Sequence, residues 1–400
     1  VRGSSQALRL AGGAQAELDV LAVIDHLALG GAEMLLGQFA AAAPRSNIRL
    51  HVAHLEDRDG SPAAEPLRAA GIEPVNLEVS GRPSRRHLRA MRRHIRTVQP
   101  DVVHTHLGTA DLVGCLAARS LGVPAVSTIH EVVPRRAGTE RAKDSVYTLC
   151  RRVCAARVIA VSESARRAYL KQSWNMGERV VRIYNGIDVT PTPGSGAAVR
   201  RELGIGADAL LVGMISALRP EKGHDIAIAA IGRLRDRFPR LRLLIAGQGP
   251  YAAELERLAA PLGDGVMLVG RRTDVTHVFD ALDVCLHPSR MDAFPTTLIE
   301  ALATSAPVLA SAVGGIPEII DDGRTGVLLP APPTADAVAE ALGALLADPS
   351  RRRTLAEAGR NAYAERFTAG PWVQRTRVLY DAVKAEAGHG PNRADRRSGQ

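Results

Sequence analysis

Aromatic side chains make up only 3% of the 400 residues, so a surface that stacks on nucleic-acid bases has little material here and no nucleic-acid partner is expected. Cysteine is also scarce. Cys115, Cys150, Cys154 and Cys285 form no Cys-x-x-Cys pair and have no histidines at zinc-ligand spacing, which argues against a disulfide framework and fits a reducing, cytoplasmic setting. No run reaches about 18 uninterrupted apolar residues, so no membrane-spanning helix is expected. Acids are outnumbered: 51 Lys and Arg against 42 Asp and Glu leave a net charge of +9. That balance favours an acidic partner without choosing among phosphorylated small molecules, anionic membranes and nucleic acids.

What is present is a long alternation. A chain of this length exceeds one ordinary core and is expected to form two domains. Residues 1–18 lack the apolar region and cleavage site of a signal peptide and read as a disordered leader; the polar stretch 388–400 reads as a loose tail. From Asp19 the chain runs "DVLAVIDHL", "GGAEMLLGQFAAAAP", "IRLHVAHLE", "DGSPAAEPLRAAG", the order strand, helix, strand, helix. This rhythm, continued through "DVVHTHL", "PAVSTIH" and "ARVIAVS", predicts a parallel sheet covered on both faces over residues 19–190. A Pro/Gly-rich segment at 191–207 reads as a linker, and a second strand series begins at "ALLVGMISAL" and fills 208–368. The expected fold class is α/β: two Rossmann-like domains facing across a cleft, with ligands beyond the carboxyl ends of the strands.

Several residues are expected at those strand ends. In "VCLHPSRMDAFPTTLIEALA" Asp292 follows a strand, and Pro295 suits the first turn of a helix because its missing N–H would be unpaired there anyway. The free amides of Thr296 and Thr297 then face the cleft as a phosphate site. Glu300, further along an otherwise apolar stretch, reads either as a surface acid or as a carboxylate paired with a diol. "SALRPEKGHD" places Arg219 and Lys222 where two cations suit a diphosphate, although a solvated charged loop explains them as well. Gly30 and Gly31 follow the first strand; Gly314 and Gly315 permit close backbone approach or an ordinary turn. His104, His106 and His130 end two strands, and at least one is expected to touch substrate; a zinc site lacks a third ligand, so no metal is expected.

One helix stands apart. Between Arg82 and Arg96 arginines flank a stripe of Leu88, Met91, Ile95 and Val98. Two readings are open: a helix covering the sheet with a basic outer side, and a peripheral contact with the inner face of an anionic membrane.

Taken together, "LGGAE", "DVVHTH", "STIHE", "IAVSE", "YNGID", "SALRPEKG", "LLIAGQGP", "DAFPTTLIEALA", "PVLASAVGGIPEII" and "DGRTGVLLP" resemble the retaining GT-B glycosyltransferases, in that family's order and from about Asp19 to Lys384. The resemblance implies transfer of a sugar from a nucleotide-diphosphate sugar donor to a hydroxyl-bearing acceptor, without cofactor or metal. It assigns ribose hydroxyls to Glu300, the transferred sugar to Asp292, and sugar and phosphate to the stretch Ala293, Phe294, Pro295, Thr296, Thr297 and Leu298. It further implies that Arg219 and Lys222 neutralise the diphosphate, that Gly30 and Gly31 close over it, and that His130 lies beside the reacting sugar. His104 and His106 are then candidates for acceptor contact. Residues 369–387 resemble the family's last helix, which returns to the N-terminal domain with Trp372 as its anchor. The family usually has Glu-Gly where this chain has Asp292 and Ala293, so the donor sugar stays open. A sugar-nucleotide epimerase of the same fold and a non-catalytic nucleotide-sugar-binding scaffold are the alternatives.

Overall fold

A computed structural model describes residues 16–131, 138–173 and 175–388. Most of the expected leader and nearly all of the expected tail therefore lie outside the described residues. The N-terminal domain alternates β1 (Leu18–Ile24), α1 (Gly31–Ala42), β2 (Ile48–His54), α2 (Ala64–Ala69), β3 (Val75–Asn76), α3 (Arg85–Val98), β4 (Val102–His106), α4 (Gly108–Leu121), β5 (Ala125–Ile129), α5 (Gly138–Cys154), β6 (Arg157–Ala160), α6 (Glu163–Leu170) and β7 (Val180–Arg182). All these strands pair in parallel, in the order β3-β2-β1-β4-β5-β6-β7. Because both faces carry helices, the strands read as continuous apolar runs, and Val20, Leu21, Val23 and Ile24 of β1 are all buried.

The second domain contains α7 (Gly196–Glu202), β8 (Leu210–Ile215), α8 (His224–Leu234), β9 (Leu241–Ala246), α9 (Ala252–Ala259), β10 (Val266–Leu268), α10 (Val275–Ala281), β11 (Val284–His287), α11 (Thr296–Ala303), β12 (Val308–Ser311), α12 (Ile316–Ile319), β13 (Val327–Leu329), α13 (Ala335–Ala347) and α14 (Pro349–Arg366). Its sheet is parallel in the order β10-β9-β8-β11-β12-β13. In each sheet the strand order reverses beside the first strand, so the carboxyl ends of β1 and β4, and of β8 and β11, flank the crevices where ligands bind in such folds.

Two differences from the sequence expectation have local causes. The segment 191–207 is not a bare linker: it holds α7, whose first residue, Gly196, donates its amide to Asp280 at 2.8 Å, while Arg200 reaches Ala281, Ala209 and Asp283. A side chain at Gly196 would strike the backbone of Ala281, so glycine here serves packing rather than flexibility. Pro295 caps α11 from an extended conformation (φ −69°, ψ 117°) instead of opening its first turn.

The last helix, α15 (Ala369–Gly388), leaves the second domain and packs on α1 and β4 of the first. Trp372 meets Phe39 edge-on at 5.2 Å, and the fully buried Tyr380 reaches His104. A second contact joins the domains: Phe294 stacks on Tyr184 with ring centres 5.0 Å apart and Phe367 against both.

Candidate active site

The loops after β8 and β11 meet. Lys222 follows β8 in a short 3-10 turn, and its ammonium lies 2.6 Å from the Oδ2 of Asp292, which follows β11. His287, the last residue of β11, brings Nε2 within 3.0 Å of the same oxygen and 3.0 Å of Ser289 Oγ. Burial alone would raise the Asp292 pKa, but the hydrogen bond from His287 and the Lys222 charge hold it down to about 2. Asp292 is therefore a fixed anion near neutral pH, already neutralised by its neighbours. Arg219, on the same turn, is by contrast mostly exposed, with Glu221 at 4.0 Å.

Glu300 lies one turn inside α11, where its carboxylate makes no hydrogen bond or ion pair with any described residue. Burial pushes its pKa up to about 7, and the buried thiol of Cys285 senses its charge. The first-turn amides of Thr296 and Thr297 have no acceptor within the helix, and both residues are half-buried. Ala293, Phe294, Pro295 and Leu298 have buried side chains, so this loop offers backbone rather than side chains to a ligand. Gly314 and Gly315 support the loop: Gly314 has φ +55°, a Cβ there would sit 1.7 Å from the Asp292 carbonyl, and Gly315 donates its amide to that carbonyl at 3.1 Å. The close approach they permit is to the Asp292 loop.

Across the cleft, Gly30 and Gly31 begin α1, and a side chain at Gly30 would overlap Glu33. Glu33 is buried, which raises its pKa, and the Arg219 charge from the other domain partly offsets that rise. The Gly30–Glu33 turn and Arg219 thus share one electrostatic environment.

The carboxyl ends of β1, β4 and β5 surround a cavity of about 370 Å³, lined by Asp25, Gly108, Thr128, His130, Glu131, Tyr147 and Arg151 among others. Asp25 directly follows β1 and accepts the amides of Ala110, at 2.5 Å, and Thr109, at 3.4 Å, at the start of α4; burial pushes its pKa up to about 6. Leu107, between β4 and α4, takes φ +71°, a strained value for leucine. Arg151 is held by the fully buried Asp111, which also accepts hydrogen bonds from Thr105 and Ser127.

His130 reaches this cavity, but His104 and His106 do not line it. Two apart on β4, they point to the face that α15 covers. His104 is spent on Tyr380 Oη at 2.5 Å and Thr128 Oγ1 at 2.7 Å; His106 Nδ1 and His130 Nε2 share a hydrogen bond at 2.9 Å. Burial lowers the pKa of all three, to about 3 for His104, so they are neutral at ordinary pH. His104 and His106, expected at an acceptor, thus lie outside this cavity: His106 meets His130, and His104 meets Tyr380 of the last helix.

Sequence reading passed over Asp25 and His287, which stand at strand ends just as the histidines do and were open to the same argument. Glu318 left no such signal. From α12 its carboxylate accepts the amides of Glu163 and Ser164, at 2.7 and 2.9 Å, at the start of α6 in the other domain, and the Tyr184 hydroxyl at 2.9 Å.

Among the described residues no cluster of three or more His, Cys, Asp or Glu could hold a metal ion. Residues 29–190 match the family model Glycosyltransferase Family 4, and residues 197–362 match Glycosyl transferases group 1. The chain is 34% identical over 294 residues to a D-inositol 3-phosphate glycosyltransferase of Stackebrandtia nassauensis, covering 67% of this chain and 65% of that protein. It is 31% identical to an alpha-maltose-1-phosphate synthase of Mycolicibacterium smegmatis, covering 71% of this chain and 79% of the relative. The crystal structure of Anabaena HepE in complex with UDP and glucose superposes with a TM-score of 0.81 at 23% identity, over 92% of this chain and all of that one. WaaG, a glycosyltransferase involved in lipopolysaccharide biosynthesis, superposes at 0.71 with 19% identity, over 91% of this chain and 99% of that one.

Proposed function

Because the chain belongs to the GT-B glycosyltransferases, which act on nucleotide-diphosphate sugars, we propose that it is a retaining, metal-independent hexosyltransferase. The observation that carries this reading is the meeting of Lys222 and Asp292 at 2.6 Å beside the first turn of α11. A donor diphosphate lying there meets Arg219, Lys222 and the free amides of Thr296 and Thr297. Together they balance the charge that develops as the bond from phosphate to the glycosidic carbon breaks. Glu300 supplies a carboxylate with unfilled acceptor capacity for the ribose diol, and Asp292 a fixed anion for sugar hydroxyls.

As the sugar leaves, its anomeric carbon gains positive charge on the face the phosphate has just vacated. The departing phosphate oxygen then takes the proton of an acceptor hydroxyl attacking from that same face, which preserves the anomeric configuration. His130, neutral and aligned by His106, offers a polar contact beside the sugar. Closure of the two domains excludes water and limits donor hydrolysis. The cavity at the ends of β1, β4 and β5 is the acceptor side. The similarity to a D-inositol 3-phosphate glycosyltransferase and an alpha-maltose-1-phosphate synthase favours a polar, hydroxyl-rich acceptor, and Arg151 and His130 at the cavity wall suit one.

Incubation with a nucleotide sugar and candidate acceptors in EDTA, followed by NMR of the product's anomeric proton, tests this reading. Product with the donor's own anomeric configuration and unchanged yield in EDTA supports it. Inversion removes the retaining mechanism, dependence on added metal removes the metal-free one, and an isomerised sugar nucleotide without acceptor would point to an epimerase.

A further inference from the structure

Phe294 stands in the middle of the loop between β11 and α11, after Asp292 and before Thr296, where the helix begins. Its side chain crosses to the other domain: it is 5% exposed and lies flat against Tyr184, with ring centres 5.0 Å apart and planes within 5° of each other. Tyr184, just beyond β7 in the first domain, is itself fixed by contacts other than the loop's. Its hydroxyl donates to Glu318 at 2.9 Å, and the Arg182 guanidinium lies 4.7 Å from its ring centre. Glu318 in turn is held by the amides of Glu163 and Ser164 at the start of α6. Gly315 closes the same seam. A Cβ there would lie 2.0 Å from the Ala293 carbonyl oxygen and 2.9 Å from Ser162 Cβ, so the loop and the first domain meet with no room for a side chain between them.

We propose that Tyr184 is a positioning residue for the donor: from the first domain its ring holds Phe294 and so fixes where the loop presents the Asp292 carboxylate and the Thr296 and Thr297 amides. Gly314 and Gly315 grip the loop by its backbone at Asp292 and Ala293; Phe294 is the next residue, and Tyr184 grips it by its side chain. Offset stacking at this separation stabilises beyond the area it buries. A loop released from it spends part of its time away from the competent position, and apparent donor affinity falls by the competent fraction. Joining the domains does not require this contact, because α15 and Glu318 bridge them without it. Donor affinity therefore depends on a residue outside the donor domain; this rests on the reading of the loop as the donor site.

Titration calorimetry of the full chain with UDP-, GDP-, ADP- and dTDP-glucose finds the donor that wild type binds, and the variants are compared on it. Tyr184→Leu keeps apolar bulk but removes the flat ring, whereas Tyr184→Phe keeps the ring and removes only the bond to Glu318. The worth of a stacked aromatic pair sets the expected loss of donor affinity in Tyr184→Leu at about threefold to tenfold. Tyr184→Phe should bind donor as wild type does. Adding Tyr184→Leu to Phe294→Leu should cost nothing further, because the two rings form one contact. Melting temperatures of the same samples check that each variant is folded at the temperature of the titration. Wild-type affinity in Tyr184→Leu overturns the proposal; so does a Tyr184→Phe as weak as Tyr184→Leu, which would assign the effect to the Glu318 bond, and so do losses that multiply in the double variant. If wild type binds none of the four, the glycosyltransferase reading falls and the proposal with it.

Discussion

Lowering the pH from 8 to 6 should weaken donor binding about tenfold through Glu300 alone. Burial places the pKa of this carboxyl at about 7 in the free protein. Its ionised fraction then falls from about nine-tenths at the upper pH to about one-tenth at the lower. Only the carboxylate can accept both hydroxyls of a ribose diol, so binding must expel the proton, and apparent affinity falls with the ionised fraction as pH drops. The sign follows from the raised pKa: a carboxyl at its ordinary value would stay ionised throughout this range and give no slope. Titration calorimetry with an intact nucleotide sugar measures the effect without the secondary phosphate ionisation of a free nucleotide. Glu300→Gln should remove the slope and cost about 1.5–3 kcal/mol at the higher pH, the worth of hydrogen bonds to a charged group. Equal affinity at both pH values, or the same slope in Glu300→Gln, would refute the assignment of the diol to Glu300.

Lys222→Ala should slow turnover on the order of a hundredfold while changing donor affinity little, because its charge matters most as the diphosphate leaves; steady-state kinetics giving lost affinity with intact turnover would contradict that. Glu318→Ala deletes an acceptor of three hydrogen bonds that join the domains, so small-angle scattering should show a larger radius of gyration in the free protein, closing again with donor. Tyr380→Phe leaves the buried Nδ1 of His104 without its partner and should lower stability by about 1–3 kcal/mol in denaturant melts.

The alternation of apolar runs with helical stretches carried the fold, because a parallel sheet buried on both faces writes itself as short β-branched segments. Strand-end position also made Lys222, Asp292 and His130 visible one by one. What one-dimensional reading could not supply was the direction of each side chain and the partner waiting there. His104 and His106 looked like ligands to a substrate, yet their shared parity on β4 turns them toward α15, and Tyr380, 276 residues away from His104 in sequence, occupies the first of them. Gly314 and Gly315 were open to a ligand approach or an ordinary turn, and the partner that their close packing meets is the Asp292 loop. Glu318 was invisible because its meaning depends on α6 of the other domain. Local sequence records the strand and its end; long-range pairing decides whether a polar group there is free for a ligand.

The measurement that tests the central claim most directly is a thermal melt of the full chain in EDTA against UDP-, GDP-, ADP- and dTDP-sugars, with Glu300→Ala alongside. A ligand bound well above its dissociation constant raises the melting temperature by mass action. The account predicts a rise with one nucleotide class that EDTA leaves unchanged and that Glu300→Ala loses. A melting temperature unmoved by every donor, or a rise that persists in Glu300→Ala, would contradict it.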